Sequence, residues 1–143
     1  MKRHQELINL SREHHQSLRL AKKCMDIATA GKAENCQAQC EEIVSIFDQE
    51  WDRHFRNEET TIFSITAGMA GSIHELGEQL AIQHDRMREM ARLMGKGKTD
   101  CGLLEDFGVL LRDHTRLEER EFFPLVEQQF SAEQMKQIGN RSV

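Results

Sequence analysis

A chain of 143 residues with 19 Lys plus Arg against 24 Asp plus Glu carries a formal net charge of −5. That balance disfavours nucleic acid or an anionic membrane surface as partner. A single Pro, no Tyr and abundant Glu, Gln, Leu, Met, Arg and Lys argue against a β-rich class and for an all-α fold.

The length fits one domain spanning residues 1–143, able to bury most of the surface its unfolded form exposes without disulfide staples. No opening apolar segment has signal-peptide form and no run reaches membrane-spanning length. A cytoplasmic location is therefore expected, with Cys24, Cys36, Cys40 and Cys101 reduced. Cys36 and Cys40, four residues apart, share a helix face. This leaves a redox or thiolate role open beside the ordinary one of small buried hydrophobes.

Leu7, Leu10, His14, Leu18, Ala21 and Met25 recur at helical spacing and predict a first helix over about residues 5 to 30, broken at Gly31 and Lys32. Ile43, Ile46, Phe47, Glu50, Trp51, His54, Glu58 and Ile62 predict a second over about 34 to 66. Residues 68–72 read as a turn, and Ser72 with Glu75 has the form of a capping box. Leu76, Leu80, His84, Met87, Ala91 and Met94 mark a third helix, closed by a Gly/Lys linker at residues 95–98. Thr99 or Asp100 then caps a fourth helix carrying Leu103, Phe107, Leu110, Leu111, His114, Leu117, Glu118 and Phe122, which Pro124 can kink or end. Ser131 and Gln134 form a second capping box, opening a short C-terminal helix. Four amphipathic helices with short connections predict an antiparallel up-down four-helix bundle. Measured along the helices at ~1.5 Å per residue, His14, His54, His84 and His114 come level to within about 6 Å.

An internal repeat marks the chemistry. HFRNEETTIFS, beginning at His54, and HTRLEEREFFP, beginning at His114, share a His, an Arg, two consecutive Glu and a Phe. Each sets His and Glu four apart on one helix face. A lone His on an apolar stripe is commonly a hydrogen-bonded core residue, and His4 and His74 are expected at the surface. One His per helix at a common level, with Glu58 and Glu118 breaking the stripes, points instead to a shared metal site. A buried carboxylate costs several kcal/mol unless paired or metal-bound. Imidazole with carboxylate suits Fe, Mn, Zn or Co. Four His and two Glu exceed what one catalytic zinc takes, and they suit two metals, each with two His, sharing Glu58 and Glu118. Positions left open on such metals permit oxygen, peroxide or nitric oxide chemistry.

The order His, His-x-x-x-Glu, His, His-x-x-x-Glu resembles the hemerythrin-like HHE cation-binding domain. SREHHQSL and AIQHDRM resemble its first and third helix signatures, and the resemblance covers about residues 5 to 127. It implies a hemerythrin-like four-helix bundle holding two non-haem iron ions, with ligands His14, His54, Glu58, His84, His114 and Glu118. Oxygen-carrying hemerythrins have a further His one turn after the third-helix ligand, where this chain has Arg88. That leaves one iron more open, or lets Glu50, one turn before His54, ligate it. His15 is an alternative first-helix ligand to His14. Arg88 either donates to a bound anion or a metal-bound carboxylate, or lies along the surface. Glu59 and Glu119 lie about 100° around their helices and are expected to be dispensable for metal binding.

The function these readings favour is binding or sensing of oxygen or a related diatomic or redox species, with a small diatomic or peroxide ligand as partner. The alternative is a di-iron enzyme acting in peroxide reduction, ferrous oxidation or iron donation for iron–sulfur repair. Repair families of this kind usually carry an extra N-terminal Cys-bearing segment, and the first ten residues here hold no Cys. A bundle merely stapled by its metal is a third reading, which open coordination positions argue against.

Overall fold

A computed structural model describes residues 3–141, and the side chains of residues 3–139. Among the described residues all regular structure is helical. A short 3-10 turn, Gln5–Leu7, leads into α1, Ile8–Ala30. Helix α2 follows over residues 33–66, α3 over Ser72–Gly95, α4 over residues 101–129 and α5 over Ala132–Arg141. None is long and apolar enough to cross a membrane.

The helix ends follow local chemistry. Gly31 takes the left-handed conformation, φ 73°, and its N–H returns to the Ile27 carbonyl, closing α1. The Asp100 side chain accepts from the Leu103 N–H at 2.8 Å and opens α4. Ser131 and Gln134 exchange both capping-box hydrogen bonds, at 2.9 and 3.1 Å, ahead of α5. The expected box at Ser72 does not form. Gly71, at φ 84°, caps α3 without a side-chain hydrogen bond, and Ser72 is already helical.

Three turns of π-helix interrupt α2 and α4: Phe47–Asp52, Glu59–Phe63 and Glu118–Phe122. Each widens the hydrogen-bonding step from i+4 to i+5, so the face presented to the core falls back around the axis. Glu50, on the same α-helical stripe as His54 by spacing, is exposed as a result. Pro124 does not end α4. It lies in the first turn of the α-helical stretch Phe123–Gln129, directly after a π turn, where a missing N–H is tolerated.

Helix α1 packs along α4, α2 against α3, α3 against α4, and α1 also meets α2. Gly108 lets α1 and α4 approach closely, since a Cβ there would lie 2.9 Å from the Cys24 Cβ and 3.0 Å from the Ala21 carbonyl oxygen. The core is split in two. One cluster gathers Leu20, Ile43, Trp51, Phe55, Met87 and Phe107 among others. The second gathers Leu7, Leu10, Ile62, Leu80, Phe122 and Val126, with Met135 and Ile138 of α5 packed into it. Along each of α1 to α4 the level His falls between a residue of one cluster and a residue of the other, so a polar layer is enclosed between two dry ones.

The cysteines depart from expectation. Cys36 and Cys101 form a disulfide joining the first turn of α2 to the start of α4. Cys36 therefore does not pair with Cys40, its neighbour on the helix face. Cys24 and Cys40 are free, buried thiols. Burial pushes Cys24 up to about 12, aided by nearby Cys40, and Cys40 up to about 11, aided by Asp100 and Glu41.

Candidate metal centre

Each of the four core helices delivers one imidazole to the polar layer, and α2 and α4 add one carboxylate each. His14, His54, Glu58, His84, His114 and Glu118 are all at most 2% exposed. The His-x-x-x-Glu spacing sets His54 Nε2 3.4 Å from Glu58 Oε2 and His114 Nε2 2.8 Å from Glu118 Oε1. Across the helices, His84 Nε2 lies 3.0 Å from Glu58 Oε1 and His14 Nε2 3.4 Å from Glu118 Oε1. The donor atoms fall into two overlapping groups, His14–His54–Glu58–Glu118 and Glu58–His84–His114–Glu118, each within 4.8 Å throughout. Glu58 and Glu118 belong to both.

His84 Nε2 and Glu58 Oε1 are hydrogen-bonded at 3.0 Å, but the contacts of His14, His54 and Glu118 are close without being aligned for hydrogen bonding. His14 Nε2, His54 Nε2, Glu58 Oε2 and both Glu118 oxygens are buried with no hydrogen-bond partner in the chain. Orphaned groups of this kind cost energy unless something else satisfies them. Lone pairs of nitrogen and oxygen converging on common points fit a cation. His84 Nε2 and His114 Nε2 also converge, within hydrogen-bond distance of each other at 3.1 Å.

The opposite ring nitrogen of every one of these imidazoles meets an acceptor from another helix. His54 Nδ1 meets Glu13 of α1 at 3.1 Å, and His84 Nδ1 meets Glu59 of α2 at 2.8 Å. His114 Nδ1 meets the Gln83 Oε1 of α3 at 2.7 Å, and His14 Nδ1 meets Glu119 of α4 at 3.2 Å. The chain thus closes on itself: α1 holds α2, α2 holds α3, α3 holds α4 and α4 holds α1. An acceptor at Nδ1 fixes the tautomer that leaves Nε2 free to ligate.

Arginines hold the three carboxylates in turn. Arg53 pairs with Glu13. Arg88 reaches Glu59 at 2.8 Å, and Arg3 reaches Glu119 at 3.0 Å. Glu59 and Glu119 do point away from the centre, but they are not idle there. Arg88 likewise meets neither of its expected fates. Its partners are Glu59, Asp52 and Asp85, and its head lies 5.8 Å from the Phe55 ring centroid.

Aromatic rings wall the centre. Phe55 stacks on His84 at 4.2 Å, Phe63 on the same ring at 5.2 Å, and Phe123 on His14 at 5.4 Å. Phe63 and Phe123 are equivalent in the repeat, and each follows Glu58 or Glu118 by five residues across a π turn. On the α1–α2 side, His54 borders a cavity of about 360 Å³ lined also by Glu13, Gln16, Glu50, Trp51 and Arg53.

The electrostatics favour positive charge. Burial opposes protonation of His14, but Glu118, Glu119 and Glu58 outweigh it and raise its pKa well above the usual value. Burial likewise opposes a charge on His54, yet Glu58 and Glu13 raise it to about 9. His84 is raised by Glu58 and Glu59 against the same penalty. Burial works to neutralise Glu58, but His54, Glu118 and His14 hold it well below the carboxylate range. The direction of these shifts is that of a place suited to positive charge, and binding an ion there would release protons.

Of the remaining candidates, His15 is exposed while His14 is buried, and Glu50 belongs to neither ligand group. His4 is exposed; His74 is half-buried, with Nδ1 3.2 Å from the Thr66 carbonyl. Glu13 and Gln83 were not legible as site residues, although each directly precedes a stripe His, and that shared placement was the available signal. Comparison with curated proteins and with solved structures gives no match. The hemerythrin HHE cation-binding domain model matches residues 6–126, from the turn before α1 to the last turns of α4. An all-helical chain whose buried His and Glu clusters fit a metal site thus belongs to the hemerythrin HHE cation-binding domain family.

Proposed function

We propose that residues 1–143 form one HHE domain, an antiparallel four-helix bundle with an appended α5, whose centre holds two non-haem iron ions. His14 and His54 would hold one ion and His84 and His114 the other, with Glu58 and Glu118 available to both. The observation that carries this reading is the pair of overlapping donor groups with orphaned, inward-directed atoms. Its function is to bind or sense oxygen or a related diatomic or redox species. When bound, the metal pair supplies open coordination positions and electrons for such a ligand.

The chain's own residues prepare the place. Glu13, Glu59, Gln83 and Glu119 orient the imidazoles. Phe55, Phe63 and Phe123 exclude water from around them. The cavity against His54 brings a small-molecule-sized space to one side of the centre. Arg88, tied to three carboxylates, supplies no ligand at the place where an oxygen carrier has a fifth His. This favours sensing or redox response over reversible storage.

Metal analysis of anaerobically purified protein should give about two irons per chain. Air should oxidise the centre, and azide should then shift its absorption. His114→Ala should lose iron and melt lower, because binding to a folded site is also folding free energy. Full iron content with unchanged melting in that variant overturns the assignment. The enzymatic alternative is separated by peroxide: catalytic turnover favours it, stoichiometric reaction favours sensing.

A further inference from the structure

We infer that the two metal positions are inequivalent and that Gln83 makes them so, the ion between His84 and His114 being held more weakly than the ion between His14 and His54. The inference rests on the two-metal reading above and concerns residues outside its ligand set.

The inner ligands do not distinguish the two positions. Each has two imidazoles and draws on Glu58 and Glu118. Apart from Phe55, which stacks on His84 alone, the outer contacts are matched in pairs. Glu59 of α2 holds His84 of α3, and Glu119 of α4 holds His14 of α1. Phe63 stacks on His84 as Phe123 stacks on His14. Glu13 directly precedes His14 and reaches His54 on the next helix; Gln83 directly precedes His84 and reaches His114 on the next helix. At this last pair the match fails chemically, for a carboxylate stands in one place and an amide in the other.

A carboxylate accepting from Nδ1–H draws the proton strongly and makes Nε2 a better electron donor. A neutral amide accepts more weakly. Around the first position both imidazoles lean on carboxylates, Glu119 and Glu13. Around the second, His84 leans on Glu59 but His114 leans on Gln83. The arginine clamps follow the same division. Glu13, Glu59 and Glu119 are each fixed by an Arg, whereas Gln83 carries no charge for one to pair with. Gln83 is therefore a positioning residue that keeps His114 oriented while leaving it the weakest donor of the four. The second position should also have the higher reduction potential, since it stabilises the more oxidised ion less.

Anaerobic titration of the full chain with Co²⁺ against a chromophoric chelator tests this. Wild-type protein should bind two ions in separate steps, with affinities about ten-fold or more apart, the size expected of one outer partner. Gln83→Glu should strengthen the weaker step and bring the two within about three-fold. Glu13→Gln should also bring them together, but by weakening the tighter step. Circular dichroism on each variant checks that the helices remain. A purely structural Gln83 would leave the separation unchanged in Gln83→Glu, and that result overturns the inference. Two equal steps in wild-type protein overturn it as well, while leaving the two-metal reading intact. Binding of fewer than two ions sinks both.

Discussion

Adjacent glutamates in each repeat have divided the work between them. Glu58 lies inside the centre with both oxygens near imidazole Nε2 atoms, while Glu59, one position on, turns outward to His84 Nδ1 and Arg88. Replacing them with Gln should separate the roles. On the proposed two-iron reading Glu58→Gln should lose bound iron, because its carboxylate belongs to both donor groups. Glu59→Gln should keep two irons but bind them about 10- to 100-fold more weakly, as loss of an outer partner does. Equal iron loss in the two variants, measured after dialysis against a graded chelator series, would falsify the division. The buried His and Glu clusters were legible because His-x-x-x-Glu spacing is a property of one helix. Glu13, Glu59, Gln83 and Glu119 were not, because each acts on a His of another helix. No periodicity within a single helix encodes that relation.

At the scale of elements, helix positions were legible in apolar spacing, and the breaks at Gly31 and residues 95–98 fell where glycine ends a helix. The π turns were not legible, since an i+5 step uses the same residue types as an i+4 step. Their effect is nevertheless specific: they follow or include Glu58 and Glu118 and carry Phe63 and Phe123 onto imidazole faces. The wide turn at Phe47–Asp52 removes Glu50 from the stripe that spacing had assigned it. The close seam between α1 and α4 depends on Gly108. Gly108→Ala should cost roughly 1–3 kcal/mol, because the new methyl meets a backbone carbonyl and a buried Cβ that cannot swing aside. Chemical denaturation should show a lowered midpoint; an unchanged one means that the seam has slack.

For the molecule as a whole, the cysteines were the least legible feature. Nothing in a spacing of 65 residues marks Cys36 and Cys101 as partners. Closing a loop of that size restricts the unfolded chain by about 4 kcal/mol on a chain-entropy account. Reduction should thus lower the melting temperature by about 10 °C. Native protein should resist alkylation at neutral pH, with Cys24 and Cys40 buried and their pKa values pushed up to about 12 and about 11. Unfolding should expose two reactive sulfurs, and unfolding with reduction four. Mass spectrometry counts the adducts, and four without reductant means that the bond is not formed in solution.

The same bond limits how copies of this chain can exchange parts. Helices α1 and α2 bring His14, His54 and Glu58 to the buried cluster; α3 and α4 bring His84, His114 and Glu118. Either half is therefore an incomplete vessel, and the short connection at residues 67–71 is the hinge between them. An opened hinge would let the front half of one molecule seat on the rear half of another and complete two such clusters. The Cys36–Cys101 bond runs from the front half to the rear half of a single molecule. Once it has closed, each half is bound to its own counterpart for life. Only the reduced chain is free to trade partners.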